Sequence, residues 1–171
     1  MSRVLAIDPG THQSAWVVFT RTGEPDDFGI DDNEMVLNHV ASFAHAEGNW
    51  QGPTAPVVVI EKVESFGMAV GAEVFETVRW AGRFEQAAQP APVVRIGRKA
   101  VKVSLCGSMK AKDPNIRAAC IDRFGGSDAI KRGGVLHGVS KDVWAALACG
   151  LTYLDSLADD EAAGHVGTPL R

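Results

Sequence analysis

Cysteine is scarce in this chain and unpatterned. Cys106, Cys120 and Cys149 are odd in number and never form a CxxC pair, which excludes a disulfide framework and a thiolate zinc site. No apolar run approaches the roughly eighteen residues that span a membrane. Met1-Ser2-Arg3 passes straight into a hydrophobic segment with no leader, so a cytoplasmic location is expected. Internal repeats are absent. Positive charge is missing altogether from Glu24 to Glu47, although Glu24, Asp26, Asp27, Asp31, Asp32, Glu34 and Glu47 crowd that stretch with acids. A net charge of −4 argues, taken alone, against a nucleic-acid partner.

The distribution of charge argues the other way. Between Val93 and Arg132 there are ten basic residues and three acids, a local surplus of +7. An asymmetry of this kind is the footprint of a polyanion-binding face. The chain has 171 residues, of which 46% are apolar and 22% charged, values of an ordinary globular domain with room for a sizeable core. One domain over residues 1–157 is expected, with residues 158–171 as a flexible tail of small and polar residues.

Two short segments organise the rest. Val4-Leu5-Ala6-Ile7 is an apolar run that ends in Asp8 and turns at Pro9-Gly10, and Pro56-Val57-Val58-Val59-Ile60 is a second run that ends in Glu61. Continuous apolar runs mark central strands covered on both faces. A carboxylate at such a strand end either caps its own turn or holds a cation. Side by side, the two strands would bring Asp8 and Glu61 within a few ångströms, and close carboxylates repel unless they share a proton or a cation.

Around these runs the pattern predicts a second strand over Ser14–Thr20 and a third near Phe28–Ile30. A helix capped by Asp31 or Asp32 should then run to about Ala46, with later helices over Ala72–Gln89, Lys99–Leu105, Lys112–Phe124 and Ser140–Leu157, and a strand at Val93–Ile96. Asp142 falls in the first turn of the final helix, where an acid suits the macrodipole and could also face the sheet ends that carry Asp8 and Glu61. The whole is an α/β chain with a mixed sheet flanked by helices.

The order strand-Asp, hairpin, helix, strand-Glu, helix, strand, helices, helix-Asp resembles the RuvC family of Holliday junction resolvases, within the RNase H and integrase superfamily, and most of all its bacteriophage members. The carriers are Ile7-Asp8-Pro9-Gly10, Val59-Ile60-Glu61, the basic segment from Gly107 to Ile116, and Asp142-Val143-Trp144-Ala145-Ala146-Leu147-Ala148. The family's last helix usually bears a second acid where this chain has Ala145, so three of its four acids are matched. The resemblance implies an RNase H-like five-stranded mixed sheet and a structure-selective endonuclease acting on four-way junctions, forks or flaps. It implies Mg²⁺, with Mn²⁺ able to substitute, held by Asp8, Glu61 and Asp142 as the catalytic and metal-binding acids. It also implies phosphate contacts from Lys110, Lys112 and Lys141, and stacking of Phe66 on bases.

A junction's two-fold symmetry calls for a homodimer, for which the helix bearing Phe75, Arg79, Trp80 and Arg83 is the expected interface. With Ala145 in an acid's place, a protein that binds branched DNA but cuts it weakly or not at all is the alternative. A phosphotransferase of the sugar-kinase and actin type shares the Asp-Pro-Gly-Thr turn, yet needs about twice this length and a second Asp-x-Gly turn that is lacking here. His137, near Asp142 in sequence, reads as a loop residue.

Overall fold

The computed structural model describes residues 3–45, 55–65, 67 and 69–162. Phe66, expected to stack on bases, lies outside the described residues, as do residues 163–171 of the expected tail. Five strands form one mixed sheet: β1 (Val4–Asp8), β2 (Gln13–Phe19), β3 (Pro25–Asp32), β4 (Val57–Lys62) and β5 (Val93–Gly97), in the spatial order β3-β2-β1-β4-β5. β1 to β3 form an antiparallel meander, whereas β4 and β5 run parallel to β1 and to each other in turn. The helices are α1 (Asn33–His45), α2 (Ala72–Ala87), α3 (Arg98–Cys106), α4 (Asp113–Arg123) and α5 (Val143–Ala162), with one 3-10 turn at Gly126–Asp128.

Strand alternation divides the core in two. Leu5, Ile7, Trp16, Val58 and Ile60 point to one face and pack on Val36 and Val40 of α1 and Ala81 and Phe84 of α2. Val4, Ala6, Ala15, Val17, Phe19, Val57, Val59, Val94 and Ile96 point to the other, against α5 and its neighbours α3 and α4. Because both faces are covered, the central strands β1 and β4 need no polar alternation. α5 approaches the sheet closely over small residues: a Cβ on Gly150 would lie 2.2 Å from Phe19 and 3.0 Å from Ala6. Any side chain at Gly150 would push the helix off β1 and β2.

Three expectations need correction. β3 runs from Pro25 to Asp32, well beyond Phe28–Ile30. Asp31 and Asp32 are therefore strand residues and do not cap α1: Asp31 accepts a hydrogen bond from the Trp16 indole at 2.7 Å, and Asp32 accepts one from the Gln13 amide at 3.1 Å. The final helix starts at Val143, after a turn held by Lys141, and continues past Leu157 to Ala162, so the first part of the expected tail is helical. Apart from those tail residues, the described parts of residues 1–157 share this one sheet and its helices.

Candidate active site

The register of the sheet places the two strand-end acids together. Ala6 pairs with Val59 and Ile7 with Ile60 across the parallel β1–β4 ladder, so Asp8 and Glu61 are next in line. They share the parity of Ala6 and Val59 and thus face α5. Asp8 leaves the sheet through a locked turn. Ser14 Oγ accepts from the Gly10 N–H at 3.1 Å and donates to Asn33 Oδ1 at 2.6 Å, while Asn33 Nδ2 donates to the Gly10 carbonyl at 3.0 Å. Ser14 and Asn33 are buried polar residues, and both are satisfied by this one network. Gly10 has no room for a side chain, since a Cβ there would meet the Gln13 carbonyl oxygen at 2.1 Å.

The pair is electrostatically strained. The Asp8 carboxyl is pushed from its ordinary 3.8 up to about 8, first by burial, then by Glu61 and Asp142, with Arg98 pulling against them. Burial also raises Glu61, again opposed by Arg98. The two carboxyls lie within hydrogen-bonding reach of each other. As ionised groups both only accept, and Glu61 Oε2 is buried with no hydrogen-bond partner. One shared proton or one cation would resolve the repulsion and the orphaned oxygen together. Two hard carboxylates and a buried acceptor suit a divalent ion such as Mg²⁺.

Asp142 stands differently. It is exposed, at the residue before α5, and its carbonyl accepts from Ala145 and Ala146 at 2.9 and 3.2 Å. It is near enough to raise Asp8. Yet among the described residues no three His, Cys, Asp or Glu side chains are grouped closely enough to hold a metal ion. Ala145, one turn into the helix, supplies no further carboxylate. Beneath the pair Cys149 is fully buried, its thiol pushed up by burial and then by Glu61 and Asp8, so it is inert.

Two residues that sequence reasoning left unassigned complete the site. Arg98, the first residue of α3, lines a cleft of about 310 Å³ with Asp8, Glu61, Glu64 and Thr77. Its Nη1 lies 3.6 Å from Glu61 Oε1, and its Nη2 pairs with Asp113 at the start of α4. The signal was available. On β5, Val94 and Ile96 face α5, Ile96 is in register with Glu61, and Arg98 is two residues further along.

Of the predicted lysines, Lys112 immediately precedes Asp113 and caps α4, its N–H donating to Asn115 Oδ1 at 2.9 Å. Lys110 lies exposed in the turn before it, and Lys141 is exposed beside Asp142. Lys141 is the only non-glycine with a positive φ, 48°, among the described residues. Such strain gathers where a site needs a particular turn. Behind these lysines Arg117 of α4 stacks 4.9 Å from the Trp144 ring of α5, tying the two helices together. His137 is an exposed loop residue whose ring lies 3.5 Å from the Ile130 carbonyl.

No protein-family model matches the sequence, and no curated protein resembles it in sequence. Solved structures do resemble it in fold. Thermus thermophilus RuvC superposes with a TM-score of 0.69 at 19% identity, covering 98% of this chain and 99% of that one. The same protein in complex with a Holliday junction substrate gives 0.69 at 20% identity, over 99% and 100%. The resolvase of Fowlpox virus, in complex with Holliday junction DNA, gives 0.51 at 16% identity, over 90% and 99%. The five-stranded mixed sheet with helices on both faces is therefore the RNase H-like fold that these resolvases share.

Proposed function

We propose that this protein is a metal-dependent, structure-selective DNA endonuclease that resolves four-way junctions and related branched DNA. The carrying observation is the pairing of Asp8 and Glu61 at adjacent parallel strand ends, with Glu61 Oε2 buried and unpartnered. Asp8 and Glu61 would hold the ion, and Asp142 would face it from the mouth of the site. When bound, Mg²⁺ or Mn²⁺ would supply charge compensation for the phosphate and make the attacking water easier to deprotonate. Asp8, at the end of the central strand β1, would be a fixed acceptor toward the ion. Asp142, being exposed, would take a proton from the attacking water or pass it to solvent.

The lysines bind and orient. Lys110, Lys112 and Lys141 are exposed and would hold phosphates without reading sequence. Phe66 belongs to the same reading as the residue that stacks on a base beside the break.

The α2 helix supports a homodimer. Phe75 is 64% exposed and Val78 46%, while Arg83 lies 4.1 Å over the Trp80 ring and pairs with Glu34 of α1 at 2.9 Å. An exposed apolar strip framed by ordered cations is the kind of surface a second copy covers. A bacteriophage source, acting in a host cytoplasm, goes with this reading through the sequence style of the α5 motif.

Ala145 favours one other reading, a protein that binds branched DNA and does not cut it. Cleavage of a labelled synthetic four-way junction beside a linear duplex, with Mg²⁺, Mn²⁺ or EDTA, separates the two. Paired nicks on the junction, lost in EDTA and in Asp8→Asn, are the expected result. A junction bound and left intact under every metal overturns the nuclease.

A further inference from the structure

The cleft contains a cation of its own. Arg98 reaches Glu61 Oε1 at 3.6 Å, a distance of charge attraction and not of a tight two-pronged hydrogen bond. It leaves Glu61 Oε2 without a donor. The inner pair is largely withdrawn from water, with side-chain exposure of 25% for Arg98 and 15% for Glu61, whereas the outer partner Asp113 is 80% exposed. The Glu64 carboxylate packs close to Gly97, 2.7 Å from where a Cβ would stand, and pairs with Lys62 at 3.2 Å. The long Arg98 side chain thus stands between two carboxylates, Glu61 inside the cleft and Asp113 at its solvent side.

We propose that Arg98 is an electrostatic latch on the cation site. It neutralises Glu61 before a divalent ion is bound, is displaced when the ion takes Glu61 together with Asp8, and then turns outward to a phosphate of the bound DNA. This rests on the metal-dependent reading above. The displacement follows from charge, because a guanidinium and a dication a few ångströms apart on one carboxylate repel each other. The outward turn follows from geometry, because Asp113 lies at the solvent edge next to Lys112. The planar guanidinium fork also matches two phosphate oxygens better than an ammonium does. The latch makes ion binding and DNA binding mutually reinforcing in a site where Ala145 supplies no extra acid.

The test uses the full chain and Mn²⁺ alone as the probe, with the free ion followed by electron paramagnetic resonance at low salt. Arg98→Gln should bind Mn²⁺ about tenfold tighter than the native chain, the expected release of a like-charge neighbour. Arg98→Lys should stay within about threefold of the native value, since it keeps the competing charge. Affinity that is unchanged or weaker in Arg98→Gln overturns the latch. Should that variant melt below the assay temperature, Arg98→Met keeps the aliphatic stem and answers the same question.

Asp8→Asn separates the layers. Mn²⁺ binding lost in Asp8→Asn but indifferent to Arg98 sinks the latch and keeps the cation site, whereas binding equal in all the chains sinks both. Four-way junction DNA with Ca²⁺ or EDTA reads the second half. Ca²⁺ should strengthen native binding more than that of Arg98→Gln, with a salt slope steeper by about one counterion. Equal gains in the two chains overturn the hand-over to phosphate.

Discussion

Asp8 and Glu61 are placed by the sheet; Asp142, Lys141 and Lys112 are placed by helix ends and turns beyond it. The first pair sits in ladder register at the ends of two strands whose preceding side chains are all buried, so neither acid can shift without moving the core. The second group is exposed, and its backbone is set by one left-handed residue and one helix cap. A framework of this kind can hold two charges against their own repulsion, because the cost of opening the sheet exceeds what separation would recover. The rim has no such reserve, so its groups can follow a flexible polyanion.

Four experiments sharpen or break that contrast. The largest effect is expected on catalysis. Asp8→Asn should lower junction cleavage by about a thousandfold or more, the several kcal/mol that a metal's charge stabilisation supplies. Asp142→Asn should cost less, about ten- to a hundredfold. Equal losses in single-turnover cleavage would put Asp142 on the same footing as the buried pair and break the distinction.

The next effect is on stability. Asp8 has a folded value near 8 against 3.8 when unfolded, so the folded chain holds the extra proton between those limits. Its contribution is fully present below 3.8 and lost as pH rises through about 8. Thermal melts in EDTA should show the native chain weakening from mildly acidic to mildly alkaline pH. Asp8→Asn should flatten that slope and melt several degrees higher at pH 8 to 9. A divalent ion should restore the native chain over the same range. An identical pH profile in the variant would mean that the carboxyl pair is not strained.

Asn33→Ala comes third. It strands Ser14 Oγ and the Gly10 carbonyl inside the turn after Asp8, and should cost about 1–3 kcal/mol in denaturant unfolding. A loss under about 0.5 kcal/mol would show that the turn holds without its clamp.

The smallest effect is at the rim. Lys112→Ala should weaken binding to junction and duplex alike by a few-fold and reduce the salt slope by about one, with no change in melting temperature. A junction-selective loss would give Lys112 a positioning role and bring the rim closer in kind to the core.

Much of this was legible along the chain. The runs ending at Asp8 and Glu61 announce themselves, because a strand buried on both faces has to be continuously apolar and any acid at its end is conspicuous. Arg98 and Asp113 were hidden among ten basic residues and three acids, where nothing local marks the two that pair beside the buried acids. Asp31 and Asp32 read as helix caps, since acids before a helix usually are. Only the β2–β3 pairing, which sets Asp31 opposite Ser14 and Asp32 opposite Gln13, assigns them to a strand.

By itself, then, the sequence determined which segments are buried, which residues end them and which stretch carries the positive charge. These follow from local composition, and burial acts residue by residue. The tertiary structure decided the rest: that Asp8 and Glu61 share a face, that Arg98 neutralises one of them from a third strand's end, and that Asp142 stands apart in solvent. Those are relations between segments far apart in the chain. They exist only once strand register and the close seat of α5 over Gly150 bring the charges into one low-dielectric space.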